Sequence, residues 1–215
     1  LRRYIKLENV HVSLNYEKTK ELKEILWQSK SWFSRDEFER SDLIYCPVKG
    51  YNRCVGLKPR IPMKLSAIFV IGEALHTIIQ SKFDLVEVKQ KMLPNVNVRY
   101  DLIWGKKAEI KTTRMNMFRP SHIPKIYLDQ LEAGLAFTKD NDAYLITFDI
   151  VNTCLLVWDV VFDRKYLASQ VDKYFDLSVI LEDSVRFKNP FMLKPKFEEC
   201  PTCLYSHNCQ VLNKK

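Results

Sequence analysis

The chain has 215 residues, 47% of them hydrophobic and 12% aromatic, which is enough apolar material for one sizeable core and excludes a disordered chain. Its 34 Lys and Arg outnumber 26 Asp and Glu, and the net charge of +8 suits a polyanionic partner through counterion release. The longest apolar run, "AIFVIGEALHTII", meets charge before it could cross a bilayer, and no basic-then-apolar leader stands ahead of it, so a soluble, cytoplasmic protein with no membrane partner is expected.

Residues 16 to 33 have helix-forming composition, with Leu22, Ile25 and Leu26 on one stripe and Lys and Glu opposite. Residues 41 to 62, with their prolines, glycines and two cysteines, read as irregular. A mostly apolar helix is expected from Lys64 to Phe83, buried on much of its surface. "DLVEVKQKML" alternates as a strand does, and a Pro-Asn break separates it from two more strands, "VNVRYDLIW" and "AEIKTT". Residues 123 to 138 form an amphipathic helix. "AYLITFDI" and "CLLVWDVV" are strands joined at "VNT", a helix follows over about 164 to 181, and a Pro-rich tail runs from Lys188. This order is a mixed α/β domain with no internal repeat.

The stretch "YDLIWGKKAEIKTT" concentrates charge around a turn. A three-residue loop of Trp104, Gly105 and Lys106 pairs Ile103 with Lys107 and so sets Asp101 opposite Glu109, about 5 Å apart at Cβ. A two-residue loop would send the acids to different faces. In the first register Asp101, Glu109 and Lys111 converge. Opposed carboxylates repel unless a cation lies between them, and oxygen ligands completed by water and phosphate suit Mg²⁺ or Mn²⁺. The plain alternative is an exposed hairpin with a charged outer face. His76 lies upstream in a predicted helix and Gln130 downstream in another, each unremarkable alone.

A histidine on a helix, an aspartate on a strand, Glu-x-Lys on the next strand and a glutamine on the following helix resemble the RecB-like branch of the PD-(D/E)xK nucleases. The resemblance implies an α/β, restriction-endonuclease-like core, a mixed central sheet flanked by helices. It also implies metal ligation by His76, Asp101, Glu109 and the Ile110 carbonyl, with Lys111 as the catalytic lysine and Gln130 as its helper. Two positions depart from the family pattern: "VRYD" has no small residue before the first acid, and Gly134 stands where a tyrosine often follows the glutamine.

"CPTCLYSHNC" spaces Cys200, Cys203 and Cys209 as C-x2-C-x5-C, ligand spacing for one metal centre. Cys46 is the leading fourth ligand, with Cys54 and His207 in reserve, and Cys154 reads as a buried bystander. Structural Zn²⁺ answers the spacing as well as iron does. One C-P-x-K cysteine, a RecB-like core and C-x2-C-x5-C together resemble the iron–sulfur nucleases of the fourth CRISPR-associated (Cas) protein family, and the nuclease half of the AddB proteins is similar. That resemblance implies a [4Fe–4S] cluster on Cys46, Cys200, Cys203 and Cys209 and a single domain over 1–215. Its nuclease core spans about 64–182, and a helical N-terminal segment (1–63) and the C-terminal segment (188–215) are clipped together by the cluster. It further implies a single-stranded DNA exonuclease, commonly 5′ to 3′, with some endonuclease activity. The implied role is processing ends for CRISPR spacer acquisition beside the integrase complex, or serving a virus of archaea in replication or recombination, and a homo-oligomer is compatible with it. Two readings compete: a non-catalytic nucleic-acid-binding subunit and a Cys₄ zinc protein without a nuclease fold. Candidate DNA contacts are Lys106, Lys107, Arg114, Arg119, Lys194 and Lys196, with Tyr51, Trp104 and Phe118 as stacking rings that more often belong to a core.

Overall fold

The computed structural model describes residues 5–7, 10–12, 38–60, 63–114 and 123–212, with backbone alone at 5–7, 10–12, 63–67 and 202. The helix expected over 16–33, together with Phe118 and Arg119, lies outside the described residues. A short antiparallel pair, β1 (Ile5–Leu7) and β2 (Val10–Val12), stands apart from the main sheet. The main sheet has six strands: β3 (Phe38–Glu39), β4 (Val86–Leu93), β5 (Val96–Trp104), β6 (Lys106–Thr113), β7 (Asp142–Asp149) and β8 (Cys154–Val161).

β4, β5 and β6 form an antiparallel meander. Alternating side chains make the strands, and the turns fall where the backbone demands them, at Pro94-Asn95 and at Gly105 with φ +67°. β6 runs parallel to β7, and β7 is antiparallel to β8. The parallel step needs a crossover, which a helix, α4 (Lys125–Leu135), supplies. This is the mixed-sheet, PD-(D/E)xK architecture expected from the sequence.

The course of β5 positions everything that follows. β4 pairs with it from Val96 to Leu102. β3 overlaps β4 at Val96 and Asn97, and β6 overlaps β4 at Leu102, so both must use the other edge of β5, at opposite ends. Between them, from Val98 to Asp101, that edge has no ladder partner among the described residues. The β5–β6 ladder stops at Leu102 and Ala108, and beyond that pair the strands part.

Four further helices flank the sheet: α1 (Arg40–Ile44), α2 (Pro47–Cys54), α3 (Met63–Gln80) and α5 (Arg164–Arg186). The first two correct the expectation of irregular chain over 41–62. Pro47 sits at the first turn of α2, where its fixed φ and missing N–H cost nothing. Gly50 lets α2 close on α1, since a Cβ there would come within 2.8 Å of Asp42 Cβ. The same residues that looked like breakers are the start and the contact point of a helix pair.

α3 corrects a second expectation. Its described side chains, from residue 68 on, are half-buried or exposed, with Ile71 at 44% and Ile78 at 59% exposure. The helix covers one face of the sheet only, packing Ile79 on Leu102, Ala108, Ile110 and Ile146. On the opposite face Leu131 and Leu135 of α4 and Leu167 of α5 meet Ala143 and Leu145. A third cluster binds the segment from residue 38 to 48 and Leu193 to the core: Phe38, Leu43, Ile44 and Val48 pack with Val96, Val98, Tyr100, Tyr174 and Leu193. The sheet thus draws one strand, and the core much of its substance, from residues ahead of 64. Cys154, at the start of β8, is half-buried rather than buried.

Candidate active site

Ile103 pairs with Lys107, the register that sets Asp101 against Glu109. The two acids flank the point where β5 and β6 part, so no ladder joins them. Asp101 Oδ2 instead accepts from the Ile110 amide at 2.6 Å, satisfying an N–H that the parted strands leave without a β5 partner. On β6, Glu109 and Lys111 share one face and their side chains meet at 2.5 Å (Glu109 Oε1 to Lys111 Nζ), while Ala108 and Ile110 point into the α3 side. Leu145, beside Glu109 in the parallel register, belongs to the cluster under α4, so Glu109 and Lys111 face α4.

The two carboxylates differ in charge environment. Burial alone would raise Glu109, but Arg40 and Lys111 outweigh it and hold the carboxyl down at about 2. Asp101 is pushed up to about 7, first by burial and then by the negative charge of Glu109. Burial works against the Lys111 ammonium, and Glu109 and Asp101 overcome it and raise its pKa, so it stays a cation.

His76 is placed by its helix. Gln80, one turn further along α3, donates to the Asp101 carbonyl and to Glu87 Oε1, both at 2.8 Å. Gly72, one turn back, lies over Thr112 of β6. His76 is therefore on the stripe that spans the gap between β5 and β6. Burial and the charge of Lys111 lower its pKa, which favours a neutral imidazole with a lone pair to offer. Gln130 is buried on α4 and donates Nε2 to Tyr45 Oη at 2.8 Å, while its Oε1 is buried with no hydrogen-bond partner among the described residues.

Two participants escape sequence reasoning. Arg40 Nη2 donates to Glu109 Oε2 at 2.7 Å and to the Arg99 carbonyl at 3.3 Å, and its Nη1 donates to the Gln130 carbonyl at 2.9 Å. Tyr45 reaches Gln130 from the other end of α1, and the charge of Lys111 acts on its hydroxyl. Nothing in "FERSDLIY" marks either residue, since the partners are far along the chain and no periodicity connects them.

Cys46, Cys200, Cys203 and Cys209 line one small cavity. Burial and then the other three thiols raise the pKa of Cys200. Cys46 is the N-cap of α2, and the other three lie on or beside the short 3-10 turns Phe197–Thr202 and Ser206–Asn208. Direct bonds stitch the two segments: Cys46 N to Glu199 Oε2 at 3.1 Å, Lys196 N to Cys46 Sγ at 3.4 Å and Lys196 Nζ to the Ile44 carbonyl. The reserve ligands Cys54 and His207 do not line the cavity, and burial pushes the Cys54 thiol up to about 11. Among the described residues, no three His, Cys, Asp or Glu side chains are arranged, as they stand, so that they could hold a metal ion.

Several candidate DNA contacts are engaged elsewhere. Lys106 bridges Asp142 and Asp159 at 3.0 and 2.8 Å, Lys107 pairs with Asp140 at 2.7 Å, and Tyr51 is in the core. Trp104 is half exposed (50%) at the hairpin tip between Phe83 and Tyr144. Among the described residues no helix is long and apolar enough to cross a membrane.

No protein-family model matches the sequence, and no curated protein does. Among solved structures, the crystal structure of SSO0001 is similar over 93% of this chain and 97% of that one, with a TM-score of 0.57 and 18% identity. An alkaline exonuclease (LHK-Exo) from Laribacter hongkongensis matches over 76% of this chain and 95% of that one, with a TM-score of 0.48 and 12% identity. LHK-Exo in complex with dAMP matches over 73% and 94%, with a TM-score of 0.48 and 14% identity. At such identities the likeness is one of fold.

Proposed function

We propose that the chain is a divalent-metal-dependent DNA nuclease, chiefly a single-stranded DNA exonuclease working 5′ to 3′ with some endonuclease activity. The observation that carries this reading is the gathering of Asp101, Glu109 and Lys111 where β5 and β6 part, on a PD-(D/E)xK sheet. The donor set fits Mg²⁺ or Mn²⁺, because such ions need one or two carboxylates and complete their shell with water and phosphate. Burial first and then the ionised Glu109 raise Asp101, and a cation bound between the two acids would favour the ionised form of both. Asp101, Glu109, the Ile110 carbonyl and His76 would hold it, and when bound it would supply an activated water and a Lewis acid for the phosphodiester. Lys111 stays cationic and is placed to stabilise charge growing on the phosphate. Gln130 and Tyr45 brace that side of the cleft.

The four thiols that line one cavity, Cys46, Cys200, Cys203 and Cys209, are the ligands this reading gives to a [4Fe–4S] cluster, whose binding would draw them into ligating positions they do not hold as they stand; structural Zn²⁺ is the other occupant they could take. In this reading the enzyme trims ends captured as CRISPR spacers, beside the integrase complex. The test is degradation of end-labelled single-stranded DNA with Mn²⁺, compared with Asp101→Asn. The expected result is shortening from the 5′ end that needs metal and is lost in the variant. Degradation by the variant at the wild-type rate would show that another protein does the cutting.

A further inference from the structure

Arg40 is the most heavily engaged buried cation in the cleft. Taking a guanidinium out of water is costly, and an ion pair with one carboxylate offsets that only when further donors are also engaged. Here one fork reaches Glu109 Oε2, the Arg99 carbonyl and the Gln130 carbonyl, and so joins β6, β5 and α4 across the gap in the sheet. Arg99 lies in the stretch of β5 whose edge has no ladder partner among the described residues, and the guanidinium donates a bond to its carbonyl there. Glu109 is 4% and Arg40 6% exposed, so water does not compete for either.

The fork also divides the two carboxylate oxygens between different partners. Oε2 is taken by Arg40, which is anchored to two further elements, and Oε1 by Lys111, for which Glu109 is the one hydrogen-bond partner shown among the described residues. We infer that Arg40 is a positioning residue for Glu109: it holds the carboxylate by Oε2 and so aims Oε1 at the cation site. The inference rests on the nuclease reading. α1 carries Arg40 at one end and is followed by Tyr45 and Cys46, so the fork is mounted between the gap and the cysteine cavity. Lysine cannot replace it, because a single ammonium does not span three acceptors on three elements.

The experiment is Mn²⁺ binding to the DNA-free protein, read from loss of the free-ion EPR signal, for wild type, Arg40→Met, Arg40→Lys, Glu109→Gln and Arg40→Met/Glu109→Gln. The melting temperature of each is measured beside it. Arg40→Met is expected to weaken Mn²⁺ binding by about 10- to 100-fold, the usual effect of removing a group that orients a ligand. Arg40→Lys should recover melting temperature more than affinity. In the Glu109→Gln background Arg40→Met should add no further loss, because the residue acts through that carboxylate. Additive losses, or unchanged Mn²⁺ affinity in a folded Arg40→Met, overturn the inference. Mn²⁺ binding absent from the wild type overturns the nuclease reading itself, which sets the two failures apart.

Discussion

Tyr100 and Gly134 show how local spacing and distant packing divide the site. The family pattern places a tyrosine one turn after the glutamine, and Gly134 stands there instead. Its backbone lies so close to Tyr100 and Arg40 that a Cβ would come within 2.9 Å of Tyr100 Oη and 3.1 Å of Arg40 Nη1. Tyrosines from elsewhere take up that neighbourhood: Tyr45 holds the Gln130 amide and Tyr100 stands over the glycine. The trio Asp101, Glu109 and Lys111 was legible because one hairpin register decides it. Arg40 was not, because its pairing with Glu109 spans 69 residues and depends on two strands parting. Gly134→Ala tests the close approach. A mid-helix alanine gains about 1 kcal/mol over glycine, but crowding a core costs roughly 1–3 kcal/mol. Tyr100 is fully buried and cannot step aside cheaply. The expected net effect is a loss of about 1 kcal/mol in urea unfolding, and a stabilised variant would show that the side chains there have room to spare.

Among the elements, strands were read more reliably than helices. Alternation survives whichever layer a strand joins, so β4 to β8 fall where the pattern puts them. The apolar run of α3 looked like a helix covered on most sides, because hydrophobicity reports a preference for burial and not the number of layers available. α1 and α2 were hidden by Pro47 and Gly50, whose roles appear only once the helices pack. The contact between α4 and α5 is polar at its centre. Glu132 is buried and accepts from Tyr166 Oη at 2.7 Å, Tyr174 Oη at 2.8 Å and Lys173 Nζ at 3.4 Å. Of these donors Tyr174 is itself buried, so no water replaces it when it is removed. Tyr174→Phe should cost about 1.5–3 kcal/mol in chemical denaturation, the scale of a hydrogen bond to a charged group. Because α4 also carries Gln130, the same variant should loosen the glutamine side of the cleft. A loss under about 0.5 kcal/mol, within the range of an ordinary surface change, would mean that Tyr166 and Lys173 suffice.

At the scale of the molecule, two segments far apart in sequence, around Cys46 and over 195–212, meet at one cavity. Cys46 and the C-terminal cysteines line one cavity, and α1 and α2 lie between that cavity and the parted strands. Sequence spacing identified three of these thiols. The fourth needed the resemblance, since nothing local ties Cys46 to a segment about 150 residues away. Any metal in the cavity would hold the N-terminal segment against the tail, and its binding would be coupled to the folding of that segment. The sheet has its own apolar clusters above and below β6 and β7, which owe nothing to the cavity. On the proposed reading that a [4Fe–4S] cluster fills the cavity, stripping it should therefore act unevenly. The loaded protein is expected to be brown from thiolate-to-iron charge transfer, and Cys203→Ala or a chelator with reductant should bleach it. In the bleached protein the amides of α1 and α2 should exchange with deuterium about 100-fold faster, while those of β6 and β7 keep their protection, as in sub-global opening. The bonds from Glu199 and Lys196 into the Cys46 region limit how far the segment moves, so the change should be local and not a general unfolding. Equal acceleration throughout the sheet would mean that the cavity supports the whole core, and no acceleration in α1 would cut the link between the cysteines and Arg40.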